Sequence, residues 1–428
     1  MSRLWDKGGS VNELALRFTV GDDHLLDAQL LPYDLIGTRA HAACLQASGF
    51  LDAAEFAQIE QALNTIRDEH AQGKLTISQE QEDCHTAIEG RLTALLGDLG
   101  AKIHVGRSRN DQVVTMLRLA MRDASEQLSA GIAGLASTLL ALAERYPDQA
   151  LPGYTHLQRA MPSSVAAWAL GFAEVFCERS ESLRDFGKRL ARSPLGSAAG
   201  YGTPVKLDRN ASAQALGFEQ AQAVTAVQLT RGLDELCFLQ ELSTLAVLVS
   251  RMAADMVLYA TKEFALVKLP AELTTGSSIM PNKANPDLFE LMRGRAAMLT
   301  GYPAQVMAVL TGLPGGYQRD LQLIKRCFVH AWDESAMLLQ AASLAVNGVA
   351  FQKDACDAAM APELYATAYA YKLVREQGIP FRAAYKEAAG AKDEWKPGLH
   401  EAGSDAADSS EYTARLANSI KARVALLA

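Results

Sequence analysis

The stretch GSSIMPNKANPD, residues 276–287, concentrates groups that could bind and act on an anion. Its glycine and two serines favour an irregular loop. Asn285 followed by Pro286 predicts that a helix starts here, with the asparagine as its cap. Because a helix N-terminus carries partial positive charge and unpaired N–H groups, an anion near Ser277 and Lys283 would be stabilised. The alternative interpretation is a capped surface loop with an incidental lysine.

Two further polar segments interrupt apolar stretches of the chain. The segment HVGRSRNDQ, residues 104–112, supplies two guanidiniums and an amide, which suit carboxylates. The segment GYTHLQRAMP, residues 153–162, places His156 among turn residues, where it could transfer protons near neutral pH. Each has a structural alternative, namely a solvated helix entrance and a histidine that only completes the packing.

A fourth polar segment, GGYQRDLQLIK, covers residues 315–325. Gln322 and Lys325 are three residues apart, which would place them on one face of a helix. Tyr317 could bind a ligand or could serve only in packing. All four segments lie at the ends of predicted helices, and this shared position is the main evidence that they are functional.

Between these segments, apolar residues recur every three or four positions, which is the period of a helix. From Asp111 to Tyr146 they form one stripe, consisting of Val114, Leu117, Met121, Ala124, Leu128, Ile132, Leu135, Leu139 and Leu142. Four more stretches share the pattern: residues 163–192, 225–262, 286–310 and 319–347. Strand patterns are nearly absent. We therefore predict an all-α fold whose five long helices form an elongated central bundle, with a kink at Pro303.

The length of 428 residues predicts more than one domain. We place boundaries near residues 105 and 355. These separate an N-terminal helical domain (1–105), the central long-helix bundle (106–355) and a small C-terminal helical domain (356–428). The glycine-rich connector SPLGSAAGYGTP, residues 193–204, is long enough to be functional.

Composition excludes several classes of protein. The net charge of -8 argues against binding to nucleic acid or to acidic lipid. No apolar signal segment and no run of 18 uncharged apolar residues occur, so we expect neither secretion nor a membrane-spanning helix. No cluster of metal ligands and no nucleotide fingerprint occurs, so no metal and no other cofactor is expected. Six scattered cysteines predict reduced core residues of a cytoplasmic protein: Cys44, Cys84, Cys177, Cys237, Cys327 and Cys356.

The motifs together resemble a known family. GSSIMPNKANPD resembles the signature loop of the aspartase/fumarase lyase superfamily, whose members eliminate fumarate from succinyl compounds. HVGRSRNDQ and GYTHLQRAMP resemble the corresponding segments of the argininosuccinate lyases. The resemblance covers roughly residues 3–390, with the motifs in the family's order. It implies a reversible β-elimination of argininosuccinate to arginine and fumarate, as in arginine biosynthesis.

The resemblance also implies a role for each matching residue. Ser277 matches the general base that removes the Cβ proton, and Lys283 and Asn285 match groups that hold the carboxylate as it becomes a dianion. His156 matches a catalytic histidine, oriented by the glutamate that Glu290 matches. Positions that match substrate contacts are Ser108, Arg109, Asn110, Thr155, Tyr317, Gln322 and Lys325.

Members of the family are homotetramers of helical subunits, and each active site draws on three chains. The resemblance therefore implies that the polar segments of this chain meet between subunits. Three departures from the family stand out. Asp23 lies near a position where many members have a substrate-contacting serine, Val105 replaces a common threonine, and Tyr385 replaces a histidine in a shortened C-terminal region.

Two alternative functions remain open. Another fumarate-releasing lyase, such as an adenylosuccinate lyase or an aspartase, would share the 276–287 loop, although the sequence RSRND argues against it. A non-catalytic, crystallin-like relative would share the fold without the activity. The presence of Ser277, His156, Lys283 and Glu290 argues against that second alternative.

Overall fold

The structure, a computed structural model, describes residues 12–427. Residues 1–11, the start of the predicted N-terminal domain, lie outside the described residues. The part of the chain that is described contains seventeen α-helices and six short strands. The first nine helices are α1 (Glu13–Val20), α2 (Asp23–Ala47), α3 (Ala53–Ala71), α4 (Cys84–Leu96), α5 (Asp98–Ala101), α6 (Arg109–Arg145), α7 (Val165–Arg189), α8 (Arg209–Ala215) and α9 (Val224–Thr230).

The remaining helices run to the end of the described chain. They are α10 (Leu233–Tyr259), α11 (Asp287–Leu299), α12 (Tyr302–Leu310), α13 (Ile324–Gly348), α14 (Lys353–Ala359), α15 (Ala366–Gln377), α16 (Phe381–Gly390) and α17 (Ser410–Leu427). Single 3₁₀ turns connect several of them: Lys102–His104, Ala271–Leu273, Arg319–Gln322, Pro362–Tyr365 and Lys392–Glu394. The all-α prediction is confirmed.

The strands form three two-stranded ladders. The longest is an antiparallel hairpin of β1 (Ala150–Thr155) and β2 (Gln158–Ser164). The other strands have two residues each: β3 (Arg192–Ser193) pairs in parallel with β4 (Gln220–Ala221), and β5 (Val267–Lys268) pairs with β6 (Ala350–Phe351). The hairpin was not predicted, and it carries His156.

The predicted stripe on the first long helix is the inner face of α6. All nine of its side chains are 3% exposed or less. Burial of an apolar stripe of this length stabilises a helix far beyond its intrinsic propensity. A reciprocal pair of hydrogen bonds caps the start of α3, where Asp52 accepts from the Glu55 backbone N–H at 2.8 Å and the Glu55 carboxylate accepts from the Asp52 N–H.

Two of the five predicted long helices are each divided in two. The third breaks between α9 and α10 at Gly232, and the fourth breaks between α11 and α12. Pro303 lies at the start of α12, so it begins a helix where a kink was predicted. The fifth starts as the 3₁₀ turn Arg319–Gln322 and continues as α13.

The chain divides into two compact units. Unit I contains the chain up to Glu126, together with Leu183–Glu241 and Gly301–Asp333. Unit II contains Gln127–Ser182, Leu242–Thr300 and the chain from Glu334 onward. The domain boundaries near residues 105 and 355 stay a prediction.

Five of the six cysteines are buried, and Cys237 on α10 is exposed. Two stretches, Arg109–Arg145 and Val224–Tyr259, are long and apolar enough to cross a membrane by length and composition alone. The most apolar window of each is 50% buried within the protein. Buried core helices pass the same test of length and composition, so this feature is weak evidence for a membrane span.

Candidate active site

Unit I contains a cavity of about 190 Å³ where the starts of α2, α4, α6 and α13 come together. We call it the unit I cavity. Five predicted substrate-binding residues line it, and Ser108 adjoins them in the sequence. Its lining residues are Val20, Asp23, Glu82, Asp83, Arg109, Asn110, Val113, Arg231, Tyr317, Arg319, Gln322 and Lys325.

Arg109, the first residue of α6, is held by acidic residues at the start of α4. Its Nη1 lies 3.2 Å from Glu82 Oε2 and 3.3 Å from Asp83 Oδ2, and its Nη2 donates to Thr86 Oγ1. Asp83 also caps α4 by accepting a hydrogen bond from the Thr86 N–H at 2.8 Å. Its pKa is lowered, because the charges of His85 and Arg109 and two hydrogen bonds outweigh the opposing effect of burial. Arg109 is thus fixed in position before any ligand arrives.

Lys325 forms a buried ion cluster with two aspartates of α2. Its Nζ lies 2.8 Å from Asp23 Oδ1 and 2.6 Å from Asp27 Oδ1. Burial alone would lower the pKa of Lys325, but the two carboxylates outweigh it and raise that pKa above its ordinary value. Asp23 therefore neutralises the lysine for which the resemblance to the family implies contact with substrate.

The polar side-chain atoms of Gln322 also form hydrogen bonds within the protein. Its Nε2 donates to the Thr19 carbonyl at 2.9 Å, and its Oε1 accepts from Arg319 Nε at 3.2 Å. Gln322 ends a 3₁₀ turn, whereas Lys325 belongs to α13, so the two residues do not lie on one continuous α-helix. They nevertheless line the same cavity.

Asp111 joins two predicted segments, the start of α6 and the glycine-rich connector. Its Oδ1 accepts from the Ser108 N–H, and its Oδ2 accepts from the Gly196 and Ala198 N–H groups, each at 2.9 Å. The side chain is fully buried, and burial raises its pKa to about 6. One carboxylate thus fixes the backbone beside the predicted binding residues Ser108 to Asn110.

We predict that Asp111→Asn destabilises the protein by about 2 kcal/mol at pH 5, because an amide nitrogen must then face a backbone N–H. The pKa of Asp111 is higher in the folded protein than in the unfolded chain, so protonation of its carboxyl stabilises the fold. Wild type therefore loses this stabilisation as the pH rises through about 6. The gap between wild type and variant should therefore be about 1 kcal/mol smaller at pH 8 than at pH 5.

Urea unfolding followed by circular dichroism at the two pH values measures both effects. The matched control is Asp185→Asn, which alters an exposed pair with Lys188 and should leave stability nearly unchanged. Equal losses in the two variants would show that Asp111 does not fix the connector.

Unit II contains the 276–287 loop. An antiparallel bridge between Thr275 and Asn285 closes its base, with the Asn285 N–H donating to the Thr275 carbonyl at 2.8 Å. Ser277 Oγ accepts from the Met280 N–H at 3.1 Å, and Lys283 is exposed. The bridge thus holds the two ends of the loop together, and the Lys283 ammonium lies exposed between them.

The helix after this loop begins later than predicted. α11 starts at Asp287 with Pro286 in the cap position, and no side chain caps it. The Asn285 amide instead donates to Thr275 Oγ1 and to the Gly276 carbonyl, each at 3.4 Å. The prediction that Asn285 caps the helix is therefore wrong, because its side chain is used to close the loop.

His156 occupies the tip of the hairpin formed by β1 and β2. Thr155 pairs with Gln158, so the turn contains only His156 and Leu157. Both have positive φ, of 53° and 57°, a region that favours glycine and asparagine. Both side chains are exposed. A strained, exposed histidine at a turn is a common feature of functional sites.

The predicted site residues thus fall into two groups. Unit I holds Ser108, Arg109, Asn110, Tyr317, Gln322 and Lys325, and unit II holds Thr155, His156, Ser277, Lys283, Asn285 and Glu290. Within residues 12–427, no hydrogen bond or ion pair joins Glu290 to His156 in one protomer. The orienting role of Glu290 stays a prediction.

Sequence reasoning missed three charged residues of the unit I cavity, Glu82, Asp83 and Arg231. A signal for the first two existed, since a pair of acids directly before a helical pattern is typical of a helix start. Arg231 precedes Gly232 inside an apparently continuous helical pattern. That glycine indicates a possible break, which would have drawn attention to its neighbour.

One buried trio could in principle hold a metal ion. Ligand atoms of Asp27, Cys84 and His85 lie within 4.8 Å of one another. Asp27, however, already pairs with Lys325, and burial raises the pKa of the Cys84 thiol well above its ordinary value. A protonated thiol and a carboxylate bound to an ammonium are poor ligands, so this donor set does not fit a metal.

A larger cavity, of about 610 Å³, lies in unit II near the base of the hairpin and the start of α17. Two of its carboxylates are engaged elsewhere, Glu401 with Arg375 at 2.7 Å and Glu411 with Arg415 at 3.3 Å. Among the residues that the structure describes, none of the predicted site residues lines it. Its size alone therefore does not make it the active site.

Comparison with solved structures identifies the class of fold. EDDS lyase in complex with formate superposes with a TM-score of 0.79 over 98% of this chain and 91% of that one, at 21% identity. The class II fumarase of Schistosoma mansoni gives 0.73 over 96% and 93%, at 16% identity. The protein therefore has the helical fold of these two enzymes.

Comparison with known sequences is more specific. A sequence model of the Lyase family matches residues 13–301. The argininosuccinate lyase of Sorangium cellulosum is 42% identical over 388 residues, 90% of each chain. That of Xanthomonas campestris pv. campestris is 39% identical over 406 residues, 94% of each. The chain belongs to the argininosuccinate lyase family.

Proposed function

We propose that this protein cleaves argininosuccinate to arginine and fumarate. The observation that carries the proposal is the 42% identity to a relative of that name over 90% of both chains. The charged unit I cavity and the exposed groups of the 276–287 loop support it, because a substrate with several carboxylates and a guanidinium needs groups of both signs. This reaction belongs to arginine biosynthesis, and we place it in the cytoplasm.

Ser277 is the proposed general base. Removal of a proton beside a carboxylate is unfavourable unless the resulting dianion is stabilised by fixed cations and amides. Lys283 and Asn285 lie in the same loop as Ser277, and the N-terminus of α11 follows that loop directly. Closure of the loop over substrate would bring these groups together and exclude water.

The second half of the reaction breaks the bond between carbon and the guanidino nitrogen of arginine. The electron pair left by the removed proton forms the double bond of fumarate, and the nitrogen leaves with the bonding pair. That nitrogen must gain a proton, so an acid on the opposite face of the substrate is required. His156, exposed at the hairpin tip, is the proposed acid, and Glu290 is proposed to orient it.

We propose that the complete site forms in a homotetramer. Exposed apolar side chains of the long helices support this assembly. Leu291, Met298, Met337 and Leu344 are each more than half exposed, and a neighbouring subunit would cover such a surface. His156, Lys283 and Glu290 are also exposed, so their partners are proposed to come from the substrate and from other subunits.

An ultraviolet assay for fumarate tests the proposed function. We expect the purified protein to produce the fumarate absorbance with argininosuccinate, and to produce none with adenylosuccinate or aspartate. Absorbance with adenylosuccinate but not with argininosuccinate would overturn the assignment. Absence of absorbance with every succinyl substrate, in a protein that folds and assembles, would favour a non-catalytic relative.

A further inference from the structure

Arg231 is a buried guanidinium with unused hydrogen-bonding capacity. It is 5% exposed and lines the unit I cavity. Its Nε has no hydrogen-bond partner among the described residues. Because a buried polar atom without a partner destabilises a protein, an unpaired donor beside a cavity indicates that a ligand completes its bonding.

The other cations that line this cavity are already occupied. Arg109 pairs with Glu82 and Asp83, and Lys325 pairs with Asp23 and Asp27. Arg319 donates to Gln322 Oε1 and to the Thr19 carbonyl, both at 3.2 Å. Among the lining cations of the described chain, Arg231 is the one with a buried donor atom that lacks a partner.

The protein fixes Arg231 in place while leaving its donor unused. The Tyr317 ring stacks on the guanidinium, with 4.8 Å from Cζ to the ring centroid. Glu235 interacts with Arg231 electrostatically, but its carboxylate accepts the Gly232 N–H at 2.7 Å. Burial raises the pKa of Glu235 to about 7, so near neutral pH it does not fully neutralise Arg231.

The backbone around Arg231 is built to break the helix at this point. Gly232 has a φ of 85°, and a Cβ there would lie 2.5 Å from Leu310 Cδ2, so glycine is required. Before it, Thr230 Oγ1 accepts from Arg118 Nη2 at 2.7 Å. The break that divides α9 from α10 thus directs Arg231 to the cavity.

We infer that Arg231 is a further substrate-binding residue, whose guanidinium binds the α-carboxylate of the amino-acid half of the substrate. This inference rests on the proposed function. The cavity also presents Asp23, Glu82 and Asp83. These paired carboxylates still have acceptor lone pairs, which suit the ammonium that an amino acid carries beside its carboxylate. Fumarate has no ammonium that could use them.

The test uses the full-length protein and four variants: Arg231→Lys, Arg231→Met, Arg122→Lys and Arg122→Met. Arg122 is the matched control, because it also stacks on an aromatic ring, that of Phe218 at 5.0 Å, and does not line the cavity. Titration calorimetry measures Kd for L-arginine and for fumarate, and kinetics give KM and kcat for argininosuccinate. Thermal melting checks that each variant is folded. If Arg231→Met does not fold, the binding measurements on Arg231→Lys test the inference.

We expect Arg231→Met to weaken arginine binding and raise KM by about 100-fold, and Arg231→Lys by about 10-fold, since charge-assisted hydrogen bonds are lost. The Kd for fumarate and the value of kcat should change less than about threefold. An unchanged kcat is expected because Arg231 would bind the substrate equally well in the ground state and in the transition state. Arg122 variants should behave as wild type.

Unchanged arginine binding in both Arg231 variants, or weakened fumarate binding with arginine binding unaffected, would overturn the inference. A wild type that does not cleave argininosuccinate would instead overturn the proposed function.

Discussion

Replacing Ser277 with alanine is expected to abolish fumarate release and to leave the helical fold intact. The hydroxyl is the proposed acceptor of the Cβ proton, and a positioned proton-transfer group contributes about 100-fold to 10,000-fold in rate. Within the described part of the chain, this hydroxyl accepts hydrogen bonds only from the nearby Ile279 and Met280 N–H groups. Its loss should therefore leave the thermal melting temperature nearly unchanged.

Ser278→Ala is the matched control, because it removes a neighbouring hydroxyl from the same exposed loop. We expect this variant to retain wild-type kcat within about threefold, which is far less than the loss of a proton-transfer group. Activity of Ser277→Ala within about tenfold of wild type would remove the base role from Ser277. Equal losses in the two serine variants would indicate a disturbed loop rather than a missing base.

The largest expected effect on stability comes from Lys325→Met. Lys325 joins two aspartates of α2 in a buried cluster, and its removal leaves Asp23 and Asp27 facing each other without a counter-charge. Breaking a buried ion pair by removing one partner costs about 3–5 kcal/mol. Because the two carboxylates can then take up protons, the loss should become smaller as the pH falls.

Urea unfolding followed by circular dichroism measures this loss. The control is Lys353→Met, which removes an exposed lysine that pairs with Asp357 on the same helix, and it should leave stability nearly unchanged. If Lys325 acts mainly on substrate, as its match to the family implies, Lys325→Met would instead lose activity with a loss of stability no greater than that of the control.

The long helices could be predicted because their signal is local and repeated. The α6 stripe extends over eight turns, and every one of its predicted positions is buried. The chemical groups of the 276–287 loop could also be predicted, since a loop before a helix start has a recognisable composition. In both cases the information lies in neighbouring residues of the chain.

The hairpin was missed because its usual signal is absent. Two-residue hairpin turns favour asparagine and glycine, which adopt positive φ with little strain. Here His156 and Leu157 occupy those positions, so the residues that would mark the turn are not present. A histidine at a positive φ in place of glycine supports the role proposed for His156, because strained backbone positions cluster at functional sites.

The pairing of Lys325 with Asp23 and Asp27 could not be predicted, because these residues are about 300 positions apart in the chain. The sequence gives residue types, and only the fold shows which charges neutralise each other. The same holds for Arg231, whose role depends on which of its neighbours in the cavity are already paired. Long-range charge pairing therefore decides which predicted binding residues remain free for substrate.

The most direct test of the shared active site is a mixing experiment with two inactive variants. Ser277→Ala and His156→Asn subunits are unfolded together, refolded at a 1:1 ratio and assayed for fumarate release from argininosuccinate. If each site takes these two residues from different chains, about a quarter of the sites in random tetramers contain both intact residues, and about a quarter of wild-type activity returns. Inactivity of hybrid tetramers whose composition is verified by mass spectrometry would contradict a shared active site. Full activity of a monomer would contradict it as well.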